Sequence, residues 1–172
     1  INIHNSIKET LKFISYISIF FIVSQESENQ KNTLIKTIVL AALIISLYSI
    51  YQYFFGYQHT IDYLKRTGNN ILLNSSYAKD VLLAKRAIGT FPSPNIFGGY
   101  LVIMFFVALA CGWKNNIVRT LPPLFILIAL ILTKSLGAWL SLIACLVILF
   151  FISYDNLRNK KIAFSGNSNM RY

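Results

Sequence analysis

The side chains most capable of chemistry gather in residues 86–100, Arg-Ala-Ile-Gly-Thr-Phe-Pro-Ser-Pro-Asn-Ile-Phe-Gly-Gly-Tyr. Arg86 offers a fixed fork of N–H donors that suits phosphate oxygens. Gly89 admits a backbone conformation closed to other residues, while Pro92 and Pro94 fix their own φ and push Phe91 and Ser93 towards extended geometry. A stiff, non-helical turn therefore leads into a helix, with Pro94 in its first position and either Ser93 or Asn95 as its N-cap. The free N–H groups and positive dipole end of that helix then lie beside Arg86, and the ligand such a junction suits is an anion. The plainer alternative is ordinary construction, in which a Pro-rich turn precedes an apolar helix and one arginine meets lipid headgroups.

Other chemistry is sparse. Nothing matches a P-loop, a dinucleotide fingerprint, a zinc signature or a Ser-His-Asp arrangement, so no cofactor is expected. Asp62, Asp80 and Glu9 are the acids available near the junction's side, too few for a metal–diphosphate clamp of paired carboxylates, and no metal is expected. Cys111 and Cys145 both lie in apolar segments and read as small buried hydrophobes. A lone His59, just past an aromatic run, is a weak catalytic candidate that reads more simply as interfacial.

The elements that must position these groups belong to a membrane protein. Of 172 residues, 55% are hydrophobic and 13% charged, with a mean hydropathy of +0.56, too apolar for an ordinary water-soluble domain. The net charge of +10 lies almost wholly outside the apolar runs. Anionic lipid or phosphate is thus a better partner than nucleic acid, for which no soluble basic domain exists. The chain begins at Ile1 and closes on a polar tail, and residues 1–172 are read as one membrane domain of a longer protein.

Hydropathy predicts an all-α, polytopic membrane helix bundle of about five transmembrane helices, near residues 7–24, 34–55, 94–113, 118–133 and 136–154. The stretch 121–154 would reach about 50 Å as one helix, against a hydrocarbon core of about 30 Å, so it must break. Thr133-Lys134-Ser135-Leu136-Gly137 is the break, since a charge, a cap and a glycine coincide there. Pro122 and Pro123 are read as starting the fourth span. The aromatic run Tyr48, Tyr51, Tyr53, Phe54 and Phe55 closes the second at headgroup level. Residues 56–93 are expected to form one long basic loop, in which Tyr77, Val81, Leu82 and Leu83 line either one side of an interfacial helix or a solvated turn.

Counting crossings puts the starts of the third and fifth spans on one face together with the long loop. Arg86, Lys134, Ser135 and the helix start after Ser93 can therefore converge. Lys and Arg divide evenly between the two faces; short loops weigh more in orientation, which places Lys31, Lys36, Lys114, Arg119 and the tail's Arg158, Lys160, Lys161 and Arg171 in the cytoplasm and the long loop outside it.

Three pieces, in this order and spacing, resemble the O-antigen ligase family of bacterial membrane proteins, which includes O-antigen polymerases. They are Tyr51-Gln-Tyr-Phe-Phe-Gly56, then Arg86-x-x-Gly-Thr-Phe-x-x-Pro-Asn95 with Tyr100, then Ser135-x-Gly-Ala-Trp-Leu140. The resemblance implies a glycosyltransferase of the bacterial inner membrane in which an acceptor hydroxyl, on lipid A core or a similar lipid or glycan, attacks a glycan carried on undecaprenyl diphosphate. It implies that Arg86, Lys134, Asn95 and Ser135 bind the diphosphate, while Gly89, Pro94, Gly137 and Trp139 are motif or structural positions. Leu136 stands where the family motif has an arginine, with Lys134 as the substitute charge. The family's essential histidine lies in a later extracytoplasmic loop, so this stretch is expected to be inactive by itself. A polymerase of the same superfamily is the near alternative. A non-catalytic membrane lipid-binding or transport protein is the distant one.

Overall fold

The computed structural model describes residues 3–68, 74–113 and 115–168, and of residues 3–6, 9 and 155–168 it describes the backbone alone. Lys114 and Arg171 lie outside the described residues, as do the side chains of Glu9, Arg158, Lys160 and Lys161. Helix α1 (Ile3–Gln25) is followed by a turn that Ser27 closes as a capping box: its hydroxyl accepts from Gln30 N, and the Gln30 side chain accepts from Ser27 N. Two of the free N–H groups at the start of α2 (Glu28–Tyr51) are satisfied in this way. Further on come α3 (Tyr57–Arg66), the single turn α4 (Ser76–Ala78), α5 (Pro94–Ala110), α6 (Asn116–Thr133) and α7 (Leu136–Ser168). No strand occurs among the described residues.

Among the described residues three helical stretches are long and apolar enough to cross a membrane, Glu28–Arg66, Asn116–Thr133 and Leu136–Tyr154. Thr10–Gln25 and Pro94–Ala110 are apolar but shorter, so length and composition support three crossings where hydropathy suggested five. The surface agrees with a bilayer surrounding. Leu140, Ile143, Phe150 and Phe151 of α7 and nearly every large apolar side chain of α1 face outward, an arrangement water would penalise and lipid does not.

The long loop is not found as such. Helix α2 runs straight on through a π-helical turn, Gln52–Gly56, into α3, so that about 58 Å of continuous helix replaces the first third of the expected loop. The physical reason is that Gly56 sits at φ −64° and ψ −40°, ordinary helical geometry, and nothing else between Tyr51 and Arg66 stops a helix. The interfacial helix is likewise cut short. Val81 is buried, Leu82 packs beside it, and Tyr77 and Leu83 point outward from α4 and a second π-helical turn, Lys79–Leu83.

Two more boundaries differ from expectation. Pro122 and Pro123 lie inside α6, not at its start, because Asn115 caps the helix seven residues upstream, its Oδ1 accepting from Ile117 N at 3.0 Å. The prolines are buried among neighbours, and although they lie past the first turn and remove two backbone bonds, the helix runs on through them to Thr133. The polar tail continues α7 as helix to Ser168. The break at residues 133–137 is present as expected: α6 stops at Thr133, Lys134 takes left-handed geometry at φ 51°, and α7 starts at Leu136.

The core is formed where α5 packs on α6 and α7, and α2 on α6 and α5. Val39 and Ala42 of α2 meet Phe97, Leu101 and Met104 of α5, Ile126, Ala129 and Leu130 of α6, and Ala138 and Leu142 of α7. Small residues set the helix separations. Ala42, Ser46 and Ser49 are fully buried along α2, and both serine hydroxyls donate back to their own helix, to Ala42 O and Ser46 O. Neither serine hydroxyl is left unpaired between helices, and the backbones can approach closely.

Candidate functional site

The site is organised by residues 84–93, which leave the second π-helical turn and enter α5. Arg86 N donates to Val81 O at 3.0 Å, Ala87 N donates to Leu132 O at 2.9 Å, and Tyr57 Oη donates to Arg86 O at 2.7 Å. The segment is therefore fastened to α3, α6 and its own preceding turn. The π-helical turn Gln52–Gly56 makes the Tyr57 contact possible. Its extra residue shifts the helical register, so that Phe54 and Phe55 face outward while Tyr57 turns inward, 2% exposed, against Val81 and Ile88. Gly89 then turns the chain at φ +57°, where an added Cβ would come within 3.2 Å of Ile45 Cγ2 and Phe97 Cζ. Phe91 packs on Phe97 and Tyr100, with ring centroids 5.3 and 4.9 Å away. Ser93 is the N-cap of α5, accepting from Ile96 N at 3.3 Å, and Pro94 occupies the first helical position, fully buried.

Four hydrogen bonds hold the Arg86 side chain. Nε donates to Thr133 O at 3.1 Å, Nη1 to Asp80 Oδ1 at 2.7 Å, and Nη2 to Asn95 Oδ1 at 2.9 Å and to Lys134 O at 3.5 Å. Two of these acceptors, with Leu132 O taken by Ala87, are the last carbonyls of α6, which lack partners within their own helix. A guanidinium at that end also has the favourable sign for the helix dipole. Lys134 returns the connection, its Nζ donating to Ala84 O at 2.8 Å and lying 5.9 Å from the centre of the Tyr53 ring. Left-handed geometry at Lys134 is what turns its carbonyl to Arg86 and its side chain to Ala84.

The three pieces of sequence picked out above thus meet at one place. Tyr53 belongs to the first, Arg86 and Asn95 to the second, and Lys134 immediately precedes the third. Within the third, Ser135 is buried, 1% exposed, and accepts from Ala138 N at 3.4 Å, capping α7. Trp139 packs on the core, half-buried. Gly137 is exposed, with open space where its Cβ would be. The glycine that does permit a close approach is Gly98, where a Cβ would lie 2.8 Å from Ala138 Cβ and 3.3 Å from Ser135 Cβ. Leu136 is 81% exposed and adds no charge beside Arg86. His59 is exposed on α3 and is not among the partners of Arg86 or Lys134.

The sequence places Asp80 only among the acids on the junction's side; its pairing with Arg86, and the roles of Tyr57 and the Thr133 carbonyl, are not legible there. Asp80 precedes Arg86 by six residues, a spacing at which side chains do not meet along a helix or a strand, and Tyr57 reaches the site after the π-helical register shift. Beside the site, a cleft of about 290 Å³ is walled by Tyr48, Tyr51, Tyr57 and Tyr77, with Gln52 and Thr60 among its polar groups. No group of three or more His, Cys, Asp or Glu that could hold a metal occurs among the described residues.

Asn95 lies in the first turn of α5, the positive end of that helix's dipole, and its amide oxygen accepts from Arg86, whose charge is paired with Asp80 at 2.7 Å. Comparison with protein-family models, curated proteins and solved structures yields no match.

Proposed function

We propose that this chain forms part of a membrane glycosyltransferase of the O-antigen ligase type, which transfers a glycan from undecaprenyl diphosphate to a lipid or glycan hydroxyl. The observation that carries the reading is the meeting of Arg86, Asn95 and Lys134 at one end of the bundle. A diphosphate leaving group gains charge as its bond to the glycan breaks, and a guanidinium with a helix N-terminus stabilises such charge without a metal. In this reading α1 and α5 also cross. Seventeen residues of α5 rise about 25 Å, close to the hydrocarbon thickness, and five crossings put residues 56–93 and the starts of α5 and α7 on the extracytoplasmic side of the inner membrane. Arg86, Lys134 and Asn95 bind the diphosphate, and Ser135 supports them as the cap of α7. The catalytic histidine is supplied elsewhere in the full-length protein.

A second reading is favoured by the saturation of Arg86. With four of its N–H bonds engaged by protein acceptors, Arg86 acts as a clip joining α5 and α6, and the protein is a non-catalytic lipid-binding or transport protein. Glycan transfer from undecaprenyl diphosphate to a lipid acceptor, without added metal, by the full-length protein and its Arg86→Ala and Arg86→Lys variants separates the two. A diphosphate site loses transfer in both variants at normal protein levels, since lysine lacks the bidentate fork. A clip in a non-catalytic protein shows no transfer in any of the three and loses folded protein, chiefly in Arg86→Ala. Transfer onto a growing glycan instead of a lipid marks the polymerase, and no transfer by the wild type sinks the glycosyltransferase reading.

A further inference from the structure

We propose that Asp80 occupies the anion seat of Arg86 in the unliganded protein and is displaced from it when an anion binds, a proposal that rests on Arg86 being an anion site. Of the acceptors around the guanidinium, three are neutral: the carbonyls of Thr133 and Lys134 and the amide oxygen of Asn95. These belong to helix ends: Thr133 is buried, while Asn95 and Lys134 are exposed at the ends of α5 and α6. Asp80 is the one ionised acceptor among the four, and it too is open to solvent. The Asp80 side chain is 55% accessible, against 16% for Arg86, so the carboxylate covers the side from which a ligand approaches.

The carboxylate can leave without unfolding anything. The turn that carries it is anchored by its neighbours: Val81 is buried against Tyr57 and Ile88, Val81 O accepts from Arg86 N, and Lys79 O accepts from Ala84 N. Rotation about the Asp80 side-chain bonds frees Nη1, and the backbone stays where it is. An incoming diphosphate oxygen takes the N–H of Nη1 that Asp80 gives up and leaves the bonds to Thr133, Asn95 and Lys134 in place. A weakly charged or neutral group cannot compete with a carboxylate at 2.7 Å, so Asp80 also selects for strongly anionic ligands.

Half-exposed ion pairs of this kind contribute up to about five-fold in an equilibrium constant, which sets the expected gain when the competitor is removed. The experiment measures binding of inorganic pyrophosphate by calorimetry to the full-length protein in lipid nanodiscs, for wild type, Asp80→Asn, Asp80→Ala and the double variant Asp80→Asn with Arg86→Ala. Asp80→Asn keeps an acceptor for Nη1 and serves if Asp80→Ala does not fold. The expected result is binding about five-fold tighter in the Asp80 variants and absent in the double variant. Equal or weaker binding by Asp80→Asn, with a wild type that binds through Arg86, overturns the displacement and leaves the anion site standing. No saturable binding by either wild type or Asp80→Asn overturns both.

Discussion

Adding one methyl group at each of two adjacent glycines of α5 should have opposite consequences. A Cβ at Gly98 would lie 2.8 Å from Ala138 Cβ, whereas a Cβ at Gly99 meets nothing within 4 Å. Carbon atoms pack best at about 3.5–4.0 Å, so Gly98→Ala forces α5 and α7 apart by close to an ångström or bends one of them. Neither atom is the end of a flexible chain, and overpacking of this kind costs about 1–3 kcal/mol. Both substitutions also gain about 0.8–1 kcal/mol in helix propensity, which makes Gly99→Ala slightly stabilising and leaves Gly98→Ala near neutral or destabilising. The difference between them cancels propensity and isolates the contact at about 1–3 kcal/mol. Equilibrium unfolding in mixed micelles, followed by far-ultraviolet circular dichroism, reads that difference directly. Ala138→Gly removes the opposing methyl at a helix-propensity cost of about 0.8–1 kcal/mol, so, measured against Ala138→Gly alone, Gly98→Ala should lose most of the contact penalty. Equal stabilities for the two alanine variants, or a contact penalty undiminished in the Ala138→Gly background, would refute the close approach of α5 and α7. That approach is what holds Asn95 beside Lys134, so Gly98→Ala should also weaken any ligand that needs both.

The same unfolding measurement tests three further contacts. Gly89→Ala imposes a side chain at φ +57° and crowds Ile45 and Phe97, and should destabilise by about 1–3 kcal/mol; no loss would mean the turn relaxes. Ser93→Ala removes the N-cap bond to Ile96 N and should cost about 1 kcal/mol, with Ser93→Asn restoring most of it. Tyr57→Phe deletes the 2.7 Å bond to Arg86 O while keeping the buried ring, for a loss of about 1 kcal/mol. A Tyr57→Phe variant as stable as wild type would show that water takes over at that carbonyl.

Much of the site's local construction was legible because it depends on neighbours in sequence. Pro94 and Ser93 form a helix start by themselves, and Lys134 with Ser135 marks a helix junction because no single helix of that length fits a bilayer. Their meeting was legible too, from counting alternate helix ends. The partners of Arg86 were not. Its side chain could as well have faced lipid headgroups as the carbonyls of α6, and only packing places Thr133 O within 3.1 Å of Nε. The expected loop failed for a related reason. The apolar run ends at Phe55, but the helix does not: a glycine tolerates a helix whenever tertiary contacts favour it, and Tyr57 buried against Val81 and Ile88 supplies such contacts.

The sequence by itself determined that this is an apolar helical chain whose basic residues lie outside its hydrophobic runs, because burial periodicity and caps act over a few residues. Which glycine is a contact and which is merely exposed was decided only in three dimensions. Gly98 and Gly137 look alike in sequence, but one faces Ala138 across the bundle and the other faces outward. The same holds for the charge on Arg86. Its presence is written in the chain, and its neutralisation by Asp80, six residues away on a π-helical turn, depends on a register shift that local pattern does not encode.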